Sequence, residues 1–151
     1  MPGEVYPGEI VRNDSGEKIA STTTIFPIVV AGGRAVDALR SITVAQHLFG
    51  TENIVVVHHT DCGATSFTPE GLVKDFNREQ GVDISELYDR NNIAITDYES
   101  SPKHDARLVR ESKGTPRTVN IYGYVFNIDT EALTLVVDDS VPAATSIMPS
   151  A

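Results

Sequence analysis

The chain has one cysteine and no tryptophan in 151 residues. With Cys62 alone, an intrachain disulfide is ruled out. A lone thiol beside histidines suits a reducing compartment and a metal-binding or reactive role. Basic residues are also scarce: 12 Lys and Arg stand against 21 Asp and Glu, for a formal charge of −9 and a pI near 4.7. That balance argues against a nucleic-acid partner, which needs clustered Lys and Arg. No apolar run approaches the roughly 20 residues that span a bilayer, so no membrane association is expected. The opening "MPGEVYPGEI" has no basic region leading into an apolar stretch, and the expected location is therefore cytoplasmic. Internal repeats and low-complexity tracts are absent. What remains, 40% hydrophobic and 22% charged, describes an ordinary globular domain of single-core size.

Residues 1–22 are rich in Gly, Pro, charge and Ser/Thr and read as an irregular arm, with a short strand at "EIVRN". "TTTIFPIVV" is β-branched and apolar, a strand candidate weakened by Pro27. "AGGR" follows as a turn. Val36, Leu39, Ile42, Ala45 and Leu48 recur at helical spacing and predict a helix over 36–49, stopped by Gly50. "NIVVV", residues 53–57, has no polar face and predicts a parallel strand covered on both sides. Thr68 as cap, Pro69 at the first position and Gly81 at the end define a second helix. Residues 82–102 read as a long surface loop with a short helix. "KHDARLVRES" predicts a helix ended by Gly114 and Pro116. "VNIYGYVFNI" predicts a strand, "DTEA" a turn and "LTLVV" a strand returning beside it. The expected class is α/β: a mostly parallel central sheet flanked by helices, with an antiparallel hairpin strand at the C-terminal side.

The chemistry concentrates in "HHTDCGATSF", residues 58–67, immediately after the apolar strand. In open parallel sheets, ligands bind outside the carboxyl ends of the strands. His59 and Cys62 are three residues apart, close enough to reach one metal. Zinc accepts imidazole nitrogen and thiolate, and catalytic zinc sites usually have three protein ligands and one open position. The other reading of the same residues is a polar loop end with a buried, inert thiol. His47 and His104 lie in helical or charged segments and read as surface or packing residues. Tyr122, Tyr124 and Phe126 alternate on one strand and read as packing or as the lining of a dimer interface. Gly32 and Gly33 read as a turn.

The stretch "RSITVAQHLFGTENIVVVHHTDCGATSFT" resembles the β-class carbonic anhydrases. Their pattern there is a helix opening on Arg-Ser, a Leu-Gly-Thr turn, an apolar strand and then His-Thr-Asp-Cys-Gly. "AGGRAVDALRS" before it and "YGYVFNIDTEAL" after it extend the resemblance across about residues 31–138. It implies a zinc lyase that reversibly hydrates carbon dioxide to bicarbonate, with His59 and Cys62 as metal ligands. It also implies a homodimer or higher oligomer whose N-terminal segments embrace the partner. In that family the residue before the histidine ligand varies, so His58 reads as packing or as a support behind the ligands rather than as a ligand. Asp61 reads as a loop-forming residue.

The family's first zinc motif, Cys-x-Asp-x-Arg, has no counterpart here, because there is no second cysteine. Two alignments of the N-terminus stay open. In one, "IVRNDSG" replaces the motif, placing Arg12, Asp14 and Gly16 at the Cys, Asp and Arg positions. In the other, "VRN" and "AGGRA" are halves of one family segment split by residues 14–30, as in a truncated or differently spliced product. Residues 1–30 are thus an atypical N-terminal segment and 31–151 the family-like domain. Both alignments leave two matched ligands, to be completed by Asp14, Asp61, His58 or a neighbouring chain, and both imply reduced or lost activity. Two further functions stay open: a non-catalytic homologue serving as scaffold or partner subunit, and a carbonyl sulfide or carbon disulfide hydrolase.

Overall fold

The computed structural model describes residues 10–12, 18–21 and 25–142. The chain forms two compact units, Met1–Val30 and Ala31–Ala151. In the first, β1 (Ile10–Arg12) pairs antiparallel with β2 (Lys18–Ser21). The strand expected in "TTTIFPIVV" does not form over residues 25–30, which carry no regular structure; residues 22–24 lie outside the described set. Pro27 offers no N–H to a ladder, and Ile25 and Val29 are exposed. Here β-branched composition misleads.

The second unit is α/β. Its sheet has the order β3 (Asn53–His59), β4 (Asn120–Phe126), β5 (Leu133–Asp139). β3 and β4 run parallel, and β5 returns antiparallel beside β4. Helix α3 (Ser100–Glu111) packs on one face of this sheet. Its buried positions are Ser101, Pro102, Asp105, Ala106 and Val109, one stripe at helical spacing. They lie against the face of the sheet on which Val56, His58 and Ile121 are buried, with Asp105 in contact with His58. Arg110 fastens the end of α3 to the sheet. Its Nε donates to Asp139 Oδ2 at 2.7 Å and its Nη2 to the Val119 carbonyl at 2.7 Å.

Coverage of β3 on both faces does not hold. Val55 and Val57 are exposed, and so is Leu135 on β5. In register, Val57 sits beside Tyr124, and Tyr124 beside Leu135. These residues share the face opposite α3. An apolar run shows that a strand is hydrophobic on both faces, but not what covers each.

The helices obey their local signals. A single 3-10 turn (Ala35–Asp37) leads into α1 (Leu39–Phe49). Ile42 and Ala45 are buried as expected, whereas Val36 and Leu48 are exposed. α2 (Pro69–Gln80) begins where Thr68 Oγ1 accepts the Gly71 N–H at 3.0 Å, and ends at Gly81 in the left-handed region. The segment before α3 holds one 3-10 turn, Arg90–Asn92. Its shape comes from aspartates whose carboxylates accept backbone N–H groups two residues on: Asp83 from Ser85, Asp89 from Asn91 and Asp97 from Glu99, each at 2.9 Å. Such side-chain turns hold a loop without a core of its own.

Candidate metal centre

β3 delivers two histidines to the carboxyl end of the sheet, on opposite faces. His59 is on the outer face and exposed. Its Nδ1 lies 2.7 Å from the Thr60 carbonyl. A carbonyl only accepts, so Nδ1 carries a proton, and in the neutral ring the lone pair is on Nε2. Metal-binding histidines use this arrangement, with the second ring nitrogen anchored by a backbone carbonyl.

The chain after His59 is tied down residue by residue. The Thr60 N–H donates to the Phe126 carbonyl at 2.9 Å, and Thr60 Oγ1 accepts the Ile128 N–H at 3.0 Å. Asp61 adopts φ +54°, in the left-handed region that Asp tolerates better than most residues. Its N–H donates to Tyr98 Oη at 3.0 Å. Cys62, 7% exposed, precedes a single 3-10 turn, Gly63–Thr65. Its carbonyl accepts both the N–H (2.9 Å) and the hydroxyl (2.6 Å) of Thr65. Ala64 O accepts the Ile95 N–H at 2.9 Å. The loop is thus fixed on both sides of the thiol.

The "AGG" turn closes against this loop. At Gly33, with φ +64°, a Cβ would lie 2.6 Å from the Val57 carbonyl oxygen and 3.3 Å from His58 Cδ2. Only glycine combines that backbone angle with so close an approach.

His58 points the other way and is 1% exposed. Its Nε2 is 3.0 Å from Asp105 Oδ2. Asp105 also accepts from Arg34 Nε and Nη2, both at 2.9 Å, and from the Ala35 N–H at 3.1 Å. Arg34 further donates to the carbonyls of Ala94 and, at 2.8 Å, Asn91. Burial pushes the Asp105 carboxyl pKa up. The hydrogen bond from His58, then the bond and charge of Arg34, then Ala35 outweigh burial and hold it below the ordinary range. Asp105 is therefore an ionised acceptor, and His58 Nε2 donates to it. His58 Nδ1 has no partner among the described residues.

Sequence reasoning did not find Arg34 or Asp105. The signal for Asp105 was a charge on the buried stripe of α3, between Ser101 and Val109. For Arg34 the sequence carried no comparable signal. His47 is exposed, and His104 Nε2 meets Asn92 Oδ1 at 2.8 Å, as expected of surface and packing residues. Asp14 lies outside the described residues.

Imidazole nitrogen and thiolate are both zinc donors, so His59 and Cys62 suit that ion. Among the described residues, no group of three or more His, Cys, Asp or Glu side chains is gathered to hold a metal. By donor chemistry His59 and Cys62 are compatible with zinc, but the described residues do not assemble a complete protein-bound centre. A cleft of about 490 Å³ beside the loop is lined by Thr60, Tyr98, Glu99 and Asn127, but by neither His59 nor Cys62.

The fold recurs in known proteins. The chain is 28% identical over 97 residues to β-carbonic anhydrase 1 of Mycobacterium tuberculosis, covering 64% of this chain and 57% of the relative. It is 27% identical over 126 residues to the carbon disulfide hydrolase of an Acidianus strain, covering 68% and 61%. The crystal structure of carbonic anhydrase from Streptococcus mutans superposes with a TM-score of 0.63 at 35% identity, covering 71% of this chain and 63% of that one. No family profile matches the sequence. By class this is an α/β protein of the β-carbonic anhydrase fold. More particularly, the chain is a homologue of the β-carbonic anhydrases and the carbon disulfide hydrolases, and it spans 57% to 63% of the length of the three relatives described.

Proposed function

We propose that the chain is a zinc-binding β-class carbonic anhydrase homologue, with His59 and Cys62 as metal ligands and carbon dioxide and bicarbonate as its substrates. One observation carries this reading: His59 has Nδ1 committed to the Thr60 carbonyl and, among the described residues, no partner at Nε2, three residues before the only cysteine. Bound zinc would supply Lewis acidity that makes water nucleophilic near neutral pH. The chain's own residues set the rest. Thr60 fixes the His59 tautomer. The bonds of Thr60, Asp61 and Ala64 hold the loop in shape. Cys62, shielded from solvent, offers sulfur from a fixed backbone.

With two matched donors and no Cys-x-Asp-x-Arg segment, turnover falls below that of a complete site. Asp14, Asp61 or a neighbouring chain supplies further coordination. His58 is unsuited to this, being buried on the opposite face with Nε2 committed to Asp105. Residues 31–151 form the functional domain and 1–30 an appended segment. The protein works in the cytoplasm as a homodimer or larger assembly, and the uncovered apolar face around Val55, Val57 and Leu135 supports self-association.

A second reading, a non-catalytic scaffold or partner subunit, is favoured by the shortage of donors. A third, carbon disulfide hydrolysis, is favoured by the Acidianus relative. Metal analysis with stopped-flow hydration of carbon dioxide and a parallel carbon disulfide assay separates them. Stoichiometric zinc with hydration above buffer supports the leading reading. Zinc-free protein without a rate leaves the scaffold, and sulfide release without hydration selects the third.

A further inference from the structure

We propose that Asp105 is a positioning residue for the loop that carries His59 and Cys62, acting through His58 and Arg34. The inference extends the metal-site reading above but stands on contacts that need no metal. One carboxylate gathers three parts of the chain that are far apart in sequence. Through His58 it holds the last turn-out of β3, one residue before His59. Through Arg34 and the Ala35 N–H it holds the turn whose Gly33 lies against the Val57 carbonyl. It is itself carried by α3, the helix packed under the sheet. Arg34 extends the grip to the Asn91 and Ala94 carbonyls. The next residue, Ile95, bonds the Ala64 carbonyl just beyond Cys62. The backbone on each side of the candidate ligands is therefore referred to the same buried ion pair.

Burying such charges is costly and stabilises weakly at best. What the arrangement adds is geometric definition, because an ionised acceptor with four donors has few alternative positions. If Asp105 loses its charge, His58 and Arg34 lose their common anchor. The end of β3 and the loop at 91–95 are then free to move separately, and Cys62 opens to solvent.

Cys62 is the only thiol, so its alkylation rate in metal-free protein reports on the loop directly. Asp105→Asn and His58→Leu are expected to raise that rate at least tenfold under native conditions. His58→Gln, which keeps a donor near the Nε2 position, is expected to restore it to within about twofold of the unmodified chain. Val109→Ala, a cavity variant one turn along the same helix, controls for general loss of stability and is expected to leave the rate near that of the unmodified chain. Cobalt(II) titration, followed by its visible absorption, is expected to show about tenfold weaker binding in Asp105→Asn, the scale typical of lost outer contacts to a ligand.

Equal alkylation rates in the unmodified chain and His58→Leu overturn the proposal, as does a Val109→Ala rate that rises as much as the others. Should Asp105→Asn fail to fold, the pair His58→Leu and His58→Gln decides alone. If the unmodified chain binds no cobalt, the metal-site reading fails while the alkylation result still judges the role of Asp105.

Discussion

His58 and His59 are neighbours on one strand, yet they live in different surroundings. His58 is enclosed by α3, the Gly33 turn and an ionised carboxylate, and its hydrogen-bond partner, Asp105, comes from 47 residues away. His59 stands in solvent, and its one side-chain partner among the described residues is the next residue's carbonyl. Strand alternation alone produces this separation. It assigns one imidazole to holding the architecture and leaves the other with a free nitrogen for chemistry. Local cues therefore set the tautomer of the exposed ring, whereas distant packing sets the position of both.

The comparison breaks most visibly at Arg34. Arg34→Met leaves Asp105 buried without its cation, and removal of one partner of a buried pair typically costs about 3–5 kcal/mol. Urea denaturation should show a loss of that size; a loss under about 1 kcal/mol would mean the pair is not the anchor described. His58→Leu removes one hydrogen bond to a charged group, worth about 1.5–3 kcal/mol, and the added apolar volume offsets part of that. Denaturation should place it clearly below Arg34→Met in severity.

Acid sharpens the contrast. The Asp105 carboxyl titrates below its ordinary value of 3.8 in the folded protein, so the unfolded chain takes up its proton first as pH falls. Its contribution is fully present above about pH 4 and is lost as pH drops through the lower folded value. Thermal midpoints from pH 6 to pH 2.5 should therefore fall more steeply for the unmodified chain than for Asp105→Asn. Parallel curves would remove Asp105 from the acid response.

The smallest effect on stability belongs to the exposed ring. His59→Leu should change the unfolding free energy by no more than about 0.5 kcal/mol, as surface substitutions usually do, while abolishing zinc retention. Retained zinc in that variant would move the metal elsewhere.

Legibility in the sequence follows the range of the interactions. Helix α2 was readable end to end because Thr68, Pro69 and Gly81 act within a turn of where they stand. The C-terminal hairpin was readable for the same reason, as was the loop after β3. Arg34 and Asp105 were not, because their partnership spans 71 residues; the place of Asp105 on the buried stripe of α3 hints at a partner without naming it, and Arg34 looks like an ordinary surface charge. "TTTIFPIVV" was misread because β-branched residues describe what a strand tolerates rather than what pairs with it. The outer face of β3 was misread because hydrophobicity names a need without naming the cover.

The doublet at the end of β3 has one more implication. A shift of this strand by one residue would place Val55, Val57 and His59 on the face now held by Ile54, Val56 and His58. The inward face is therefore nearly alike in the two frames, and from within the strand little but the bond from Asn120 Nδ2 to Asn53 Oδ1, at 3.0 Å, opposes an off-by-one pairing with β4. The choice of frame is written outside the strand, in a glycine too close to a carbonyl to be anything else and in an aspartate that accepts only the ring turned toward it. A chain that loses either determinant keeps every candidate ligand but loses part of what keeps the two histidines on their separate faces.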